Sequence, residues 1–539
     1  MNNKPININS LLINAFKALR EKRYAESKDL LEMVMLINSN IFEVNYNLGI
    51  LNLESGDLDA SIPYFEKSKK LNPKSSQVYF NLGLAFSKKK EKILAKINYK
   101  KAIKLDPNNS LAFYNLGTIY QNNFETDKAE QYLKKSIDLN PNFILAFNNL
   151  FNLYDRSNQL DKYSELLERA QNSLSEKNLI SFYSGINQYK KKNYQQAIEI
   201  LENLKLEENN FIQNINRHTI LAKSYDHIKN FDKAFYFFKS NNDLVKNYYG
   251  KNINEKIFIN YVNQRVDFFN NFKVNKWKHY SKKNEFTDPI FLIGFPRSGT
   301  TLLDTILRTN KSVEVIEVKP ILKNFLIKLE KETKNDFNQL YDLDQEYIKE
   351  MQNFYFSERE KYQKNKKTKI VIDKLPLNII HIGEILRIFP NAKFVLALRH
   401  PYDSVLSCFM QQFDLNPAMK NFLSLENSAI LYDLVMRLWS IYKKIFKINL
   451  HIIKYEDVVI DFEKTTKEIF KYLDLDWSDD TKNFYLTAKN RIDISTPSYN
   501  QVTSPLYLKS LNRWKNYEKQ FKDIKKYLDK WVNEFNYKI

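Results

Sequence analysis

The chain has 539 residues, too many for one ordinary domain, and 43% of them are apolar, enough to build real cores. Its 83 basic and 63 acidic side chains leave a formal charge of +20, which suits nucleic acid, an anionic membrane or a polyanionic small molecule, or simply lysine-rich solvated faces. A single cysteine, Cys408, excludes an intrachain disulfide, and no apolar stretch reaches the ~18 residues of a membrane helix.

The first elements repeat. The triplet Asn-Leu-Gly occurs at Asn47–Gly49, Asn81–Gly83 and Asn115–Gly117, and a degenerate copy has Asn149-Leu150. Pro73, Pro107 and Pro141 keep the same step of 34, each behind Leu-Asn or Leu-Asp. Each glycine admits a close helix neighbour, and each proline ends one helix pair and starts the next. A pair of this kind cannot bury its apolar face alone, so stacking into a solenoid follows. The period resembles that of the tetratricopeptide repeat. Residues 8–240 are expected to form the array, with a helical linker over 241–285.

From about residue 286 the pattern changes. Four short apolar runs read as buried strands: "PIFLIGF", "KIVID", "KFVLALR" and "LHIIKYEDV". Helical stretches alternate with them, which predicts an α/β domain with a parallel sheet over 286–539. Polar groups stand at every strand end: Arg297, then Asp373-Lys374, then Arg399, then Tyr455-Glu456-Asp457. Ligands of open parallel sheets bind there.

The first strand runs into "GFPRSGTT". Gly294 and Gly299 stand five apart, as in a nucleotide phosphate loop, but Thr300 replaces the lysine and Arg297 sits inside the loop. The backbone N–H groups of residues 297–301 are expected at a helix N-terminus, suited to an anion. Without the lysine, and with no clear partner carboxylate for Mg²⁺ beyond Asp373, the loop fits an anion of lower charge than a triphosphate. A phosphosulfate handled without metal meets that description.

At these residues the segment from about 286 to 520 resembles the sulfotransferases that use 3′-phosphoadenosine 5′-phosphosulfate (PAPS), the protein-tyrosine sulfotransferases in particular. The resemblance implies a 5′-phosphosulfate loop made by Arg297, Ser298, Gly299, Thr300 and Thr301. It implies a 3′-phosphate grip by Arg399 and Ser407 in "LRHPYDSVLS". Lys374 of "DKLP" would stabilise the transition state. Tyr455 would contact PAPS, and a covering loop would bring Ser498 to hydrogen-bond the transferring group and Arg513 to bind PAPS.

Two positions depart from that pattern. The resemblance puts the catalytic glutamate 21 residues after Arg297, where Val318 stands, and a further arginine where Gln411 stands. Either Glu317 serves as the base after a shift of one residue, or another group does, or activity is lost. Glu314, His381 and His400 are weaker candidates. The β-branched run "VEVIEV" favours extended chain at 313–318, so Glu314 and Glu317 should point opposite ways.

The expected activity is PAPS-dependent transfer of a sulfuryl group to a hydroxyl: a protein or peptide tyrosine, or a glycan, held at the repeats. No metal, no nucleic acid and no membrane span are expected. The opening "MNNKPININS" lacks signal-peptide features, so a cytoplasmic setting is expected. The alternatives are a repeat scaffold whose transferase domain binds nucleotide without chemistry, and a P-loop kinase.

Overall fold

The computed structural model describes residues 7–207, 210–277, 288–366, 368–489, 502–506 and 511–538. They divide into two compact units, Met1–Leu206 and Glu207–Ile539.

The first unit is a solenoid of paired helices. The three Asn-Leu-Gly copies lie in helices Phe42–Ser55, Ser76–Lys88 and Ser110–Asn122, each followed by a partner helix. The partners end at Leu71, Leu105 and Leu139, two residues before the prolines. The glycines earn their place by contact: a Cβ on Gly49 or Gly83 would stand 2.7 Å from the ring of Phe65 or Tyr99 on the partner helix. The 34-residue step thus records a repeated steric fit.

The second unit is built on a parallel sheet of five strands: β1 (Ile290–Gly294), β2 (Val313–Glu317), β3 (Ile370–Lys374), β4 (Lys393–Leu398) and β5 (Asn449–Lys454). Their order is β2-β3-β1-β4-β5. β1 is buried throughout, as a central strand covered on both faces must be. Leu292 faces a cluster with Ile306, Val315, Ile372, Val395 and Ile453. Phe291, one residue earlier, faces Phe394 and Tyr355 on the other side. The run "VEVIEV" supplies the edge strand β2, and its register sets Glu317 beside Lys374.

Helices Phe211–His227, Phe231–Tyr248 and Lys256–Asn270 belong to this second unit. The sequence placed the first two largely in the repeat array and the third in a linker. Packing explains the difference. Phe235 stacks on Phe409, Asn242 donates to the Phe409 carbonyl at 2.9 Å, and Arg265 is buried against Glu384 at 2.8 Å. Burial works against the Glu384 carboxylate, but Arg265 and His381 outweigh it and hold the group at about 2. Among the described residues, no helix is long and apolar enough to cross a membrane.

Candidate functional site

β1 delivers the chain into a tight loop. Arg297 and Gly299 both take left-handed backbone angles, with φ of 68° and 101°. Gly299 also needs its missing Cβ, which would stand 2.9 Å from the Tyr455 ring. Helix Thr300–Leu307 starts at once, so its first N–H groups have no acceptor within the helix. Left-handed turns followed by a helix N-terminus make a concavity of N–H donors suited to an anion. Ser298 is buried, and among the described residues its Oγ has no hydrogen-bond partner.

Strand pairing assembles the second cluster. Lys374 ends β3 and is 1% exposed. Its Nζ lies 2.6 Å from Glu317 Oε1 at the end of β2, 3.3 Å from Thr301 Oγ1 and 3.7 Å from Asp304 Oδ2. The lysine is therefore fixed between two carboxylates at the edge of the loop. Asp304, fully buried, is also bonded by Arg308. The sequence reading missed Asp304, although a lone carboxylate inside the apolar run "TTLLDTIL" was a visible signal.

Arg399 follows β4, and its guanidinium lies 4.9 Å from the Tyr455 ring centroid. Its Nη1 donates to the Arg297 carbonyl at 3.3 Å. Ser407, expected to work with Arg399, accepts from Arg297 Nε at 3.0 Å. All three residues meet, with Arg297 in the middle. Arg513 has partners of its own: its Nη2 lies 2.9 Å from Asp226 Oδ2, and Tyr517 bonds the same carboxylate at 2.5 Å. Ser498 lies outside the described residues.

Each of the alternative bases has partners of its own. Glu314 points to the other face of β2 and accepts from the N–H groups of Lys364 and Asn365 at 2.6 and 3.1 Å. His400 stacks on Trp514 and contacts the Lys538 carbonyl at 3.3 Å. His381 lines a neighbouring cavity, but its Nδ1 turns to Glu384 at 3.4 Å and burial lowers its pKa. Val318 has left-handed φ of 50° and donates its N–H to the Lys374 carbonyl at 3.1 Å. That turn ends β2 at Glu317. The Gln411 side-chain amide donates to the Gln412 carbonyl at 3.0 Å.

Asp373 is no metal carboxylate of the loop. Alternation along β3 turns it away from Lys374, into full burial beside the Tyr355 hydroxyl at 3.3 Å. Burial pushes its pKa from near 3.8 up to about 7. Folded, it keeps its proton up to about pH 7; unfolded, it loses it near 3.8. The stability it contributes is therefore complete below pH 3.8 and is lost as pH rises through about 7, at up to ~1.4 kcal/mol per pH unit. Asp373→Asn cannot titrate, so urea unfolding at pH 5 and pH 8 should show a smaller loss in the variant than in the parent. Equal losses would contradict this reading.

Residues 289–479 match the model of the sulfotransferase family. This chain carries a sulfotransferase-family domain. Residues 42–75, 76–109 and 98–131 match tetratricopeptide-repeat models, so the family domain follows a repeat unit, as the motifs implied. Protein-tyrosine sulfotransferase 2 of Gallus gallus is 27% identical over 242 residues, which is 42% of this chain and 62% of that one. An uncharacterized protein of Aquifex aeolicus (strain VF5) is 26% identical over 314 residues, 56% of this chain and 39% of its own. The chain thus spans less than two thirds of these curated relatives. Among solved structures, a MamA protein is 24% identical with a TM-score of 0.29, covering 30% of this chain and 92% of that one. YrrB, titled a TPR protein with an unusual peptide-binding site, is 20% identical with a TM-score of 0.28, covering 32% and 89%.

Beside the family domain's Lys374 and Arg297 opens a cavity of about 1360 Å³. Its far wall comes from the helices before residue 271, outside the matched segment.

Proposed function

We propose that the chain transfers a sulfuryl group from PAPS to a hydroxyl acceptor. The observation that carries the reading is Lys374, buried between Glu317 and Asp304 at the lip of a lysine-free phosphate loop. The donor fits the residues present. The loop offers N–H groups and the partnerless Ser298 hydroxyl to a diester-like anion, and Arg399 stands one strand away for a second phosphate. When bound, PAPS supplies the sulfuryl group and a good leaving phosphate.

The protein's own residues do the rest. Glu317 Oε1 takes the acceptor proton, and the lysine bonded to it holds that carboxylate in place. Lys374 Nζ presents a proton to the oxygen on which charge develops, from a buried position. Arg297 directs its guanidinium under the orientation given by Ser407. Ser498 is proposed to bond the transferring group and Arg513 to steady the covering loop. The repeat unit is read as the holder of a protein or peptide partner, which its architecture supports.

The phosphate assignment is testable by binding. Arg399→Ala should weaken the adenosine 3′,5′-bisphosphate complex by about 1.5–3 kcal/mol, the worth of a charge-assisted hydrogen bond. Adenosine 5′-phosphosulfate, which lacks the 3′-phosphate, should lose little. Calorimetric titration of both ligands decides, and equal weakening would refute the assignment.

A further inference from the structure

We infer that the acceptor is an apolar small molecule, a phenol or aliphatic alcohol with a hydrocarbon body, seated in the 1360 Å³ cavity beside Lys374. This deepens the sulfuryl-transfer reading and rests on it for the chemistry.

The first support is continuity. Arg297, Thr300, Thr301 and Lys374 form one side of the cavity, so a hydroxyl that reaches Lys374 draws its body into this space. The second is the wall. Ile212, Tyr249, Ile257, Val318 and Ile327 are between 48% and 58% exposed, and all five line this one cavity. Apolar side chains left open to water and gathered on one concave surface mark a site for an apolar ligand.

The third is charge. Apart from Arg297 and Lys374, the charged side chains of the wall include Glu330, Lys323 and Asp414. Glu330 is already met by the Tyr261 hydroxyl at 2.8 Å and by Arg265 at 3.3 Å. Lys323 and Asp414 have opposite sign, so among the described residues the wall away from Arg297 and Lys374 gathers no cationic cluster for an acidic peptide. Two polar wall groups are engaged: Gln412 Nε2 donates to Thr219 at 2.9 Å, and Asn416 Oδ1 accepts from the N–H groups of Ala418 and Met419 at 2.9 and 3.0 Å; Asn378 Nδ2, buried in the same wall, has no partner among the described residues and could meet the ligand's hydroxyl. The volume exceeds the ~300–1,000 Å³ usual for one drug-sized ligand, so a fused-ring or long-chain body fits. The repeat unit is then left to hold a separate protein partner.

The test uses the full chain with ³⁵S-labelled PAPS and three acceptors: 2-naphthol, a tyrosine peptide flanked by glutamates, and maltotriose. Naphthol should be sulfated with kcat/KM at least tenfold above the other two. Ile257→Asp and Ile327→Asp replace exposed side chains, so the fold is kept. Each should raise the naphthol KM at least tenfold and leave adenosine 3′,5′-bisphosphate affinity unchanged. Naphthol binding to the bisphosphate-loaded chain, followed by its fluorescence, should weaken in parallel. A preference for peptide or sugar, or variants that leave naphthol KM and binding unchanged, would overturn the inference. If naphthol binds and the variants abolish binding, but no acceptor is sulfated, the cavity assignment stands and sulfuryl transfer falls.

Discussion

Glu317→Gln lowers kcat by about 10²–10⁴, the usual worth of a general base, and leaves bisphosphate affinity nearly unchanged. The substitution keeps the shape of the side chain and its contact with Lys374 Nζ, now at 2.6 Å, but removes the proton acceptor. Lys374 is not stranded, because Asp304 remains 3.7 Å away. The melting temperature therefore moves by little, and the activity loss reads as chemistry. Single-turnover kinetics with saturating PAPS make the measurement. More than about a tenth of parental kcat, with chemistry rate-limiting, would remove Glu317 from the role. Glu314→Gln is the control, since Glu314 serves the loop at Lys364 and Asn365 on the opposite face.

Lys374→Met should fail in two separable ways. The buried Glu317 carboxylate loses its closest cation, and breaking a buried pair on one side costs about 3–5 kcal/mol of stability. Transfer also loses a preorganised donor, which costs about 10²–10³ in kcat. The double variant Lys374→Met with Glu317→Leu removes both charges at once. Chemical unfolding should then recover much of the lost stability, while activity stays absent. Recovery of activity in the double variant would mean that Lys374 acts only as a structural ion.

Much of this was legible because local rules and global fold agree. The Asn-Leu-Gly step reads plainly because the same ring contact recurs at Gly49 and Gly83. The strands β1, β3 and β4 read as apolar runs because the sheet is covered on both faces. β2 was harder: "VEVIEV" alternates, which predicts extended chain but not membership of the sheet, and its pairing with β3 is a long-range fact. That pairing is what brings Glu317 to Lys374 without an insertion in the chain.

What the sequence did not reveal has physical causes too. Ser407 stands eight residues after Arg399 in the sequence, and that spacing carries no information about Arg297, whose Nε it accepts. Arg513 pairs with Asp226, a partner far away in sequence that spacing does not reveal. Asp304 hides in a helix that composition reads as core. The helices between 211 and 270 looked like repeat and linker because amphipathic periodicity does not reveal which surface a helix covers. Only the folded chain shows that they wall the cavity beside Lys374.

The most direct measurement is a donor competition on the full chain. Purified protein is given [³⁵S]PAPS with EDTA present, or [γ-³²P]ATP with Mg²⁺, and 2-naphthol as acceptor, beside the Lys374→Met variant. The account predicts ³⁵S-labelled naphthyl sulfate and an equal amount of adenosine 3′,5′-bisphosphate from the parent, none above background from the variant, and no ³²P transfer. Phosphoryl transfer from ATP, or tight bisphosphate binding with no sulfuryl transfer to any hydroxyl, would contradict it.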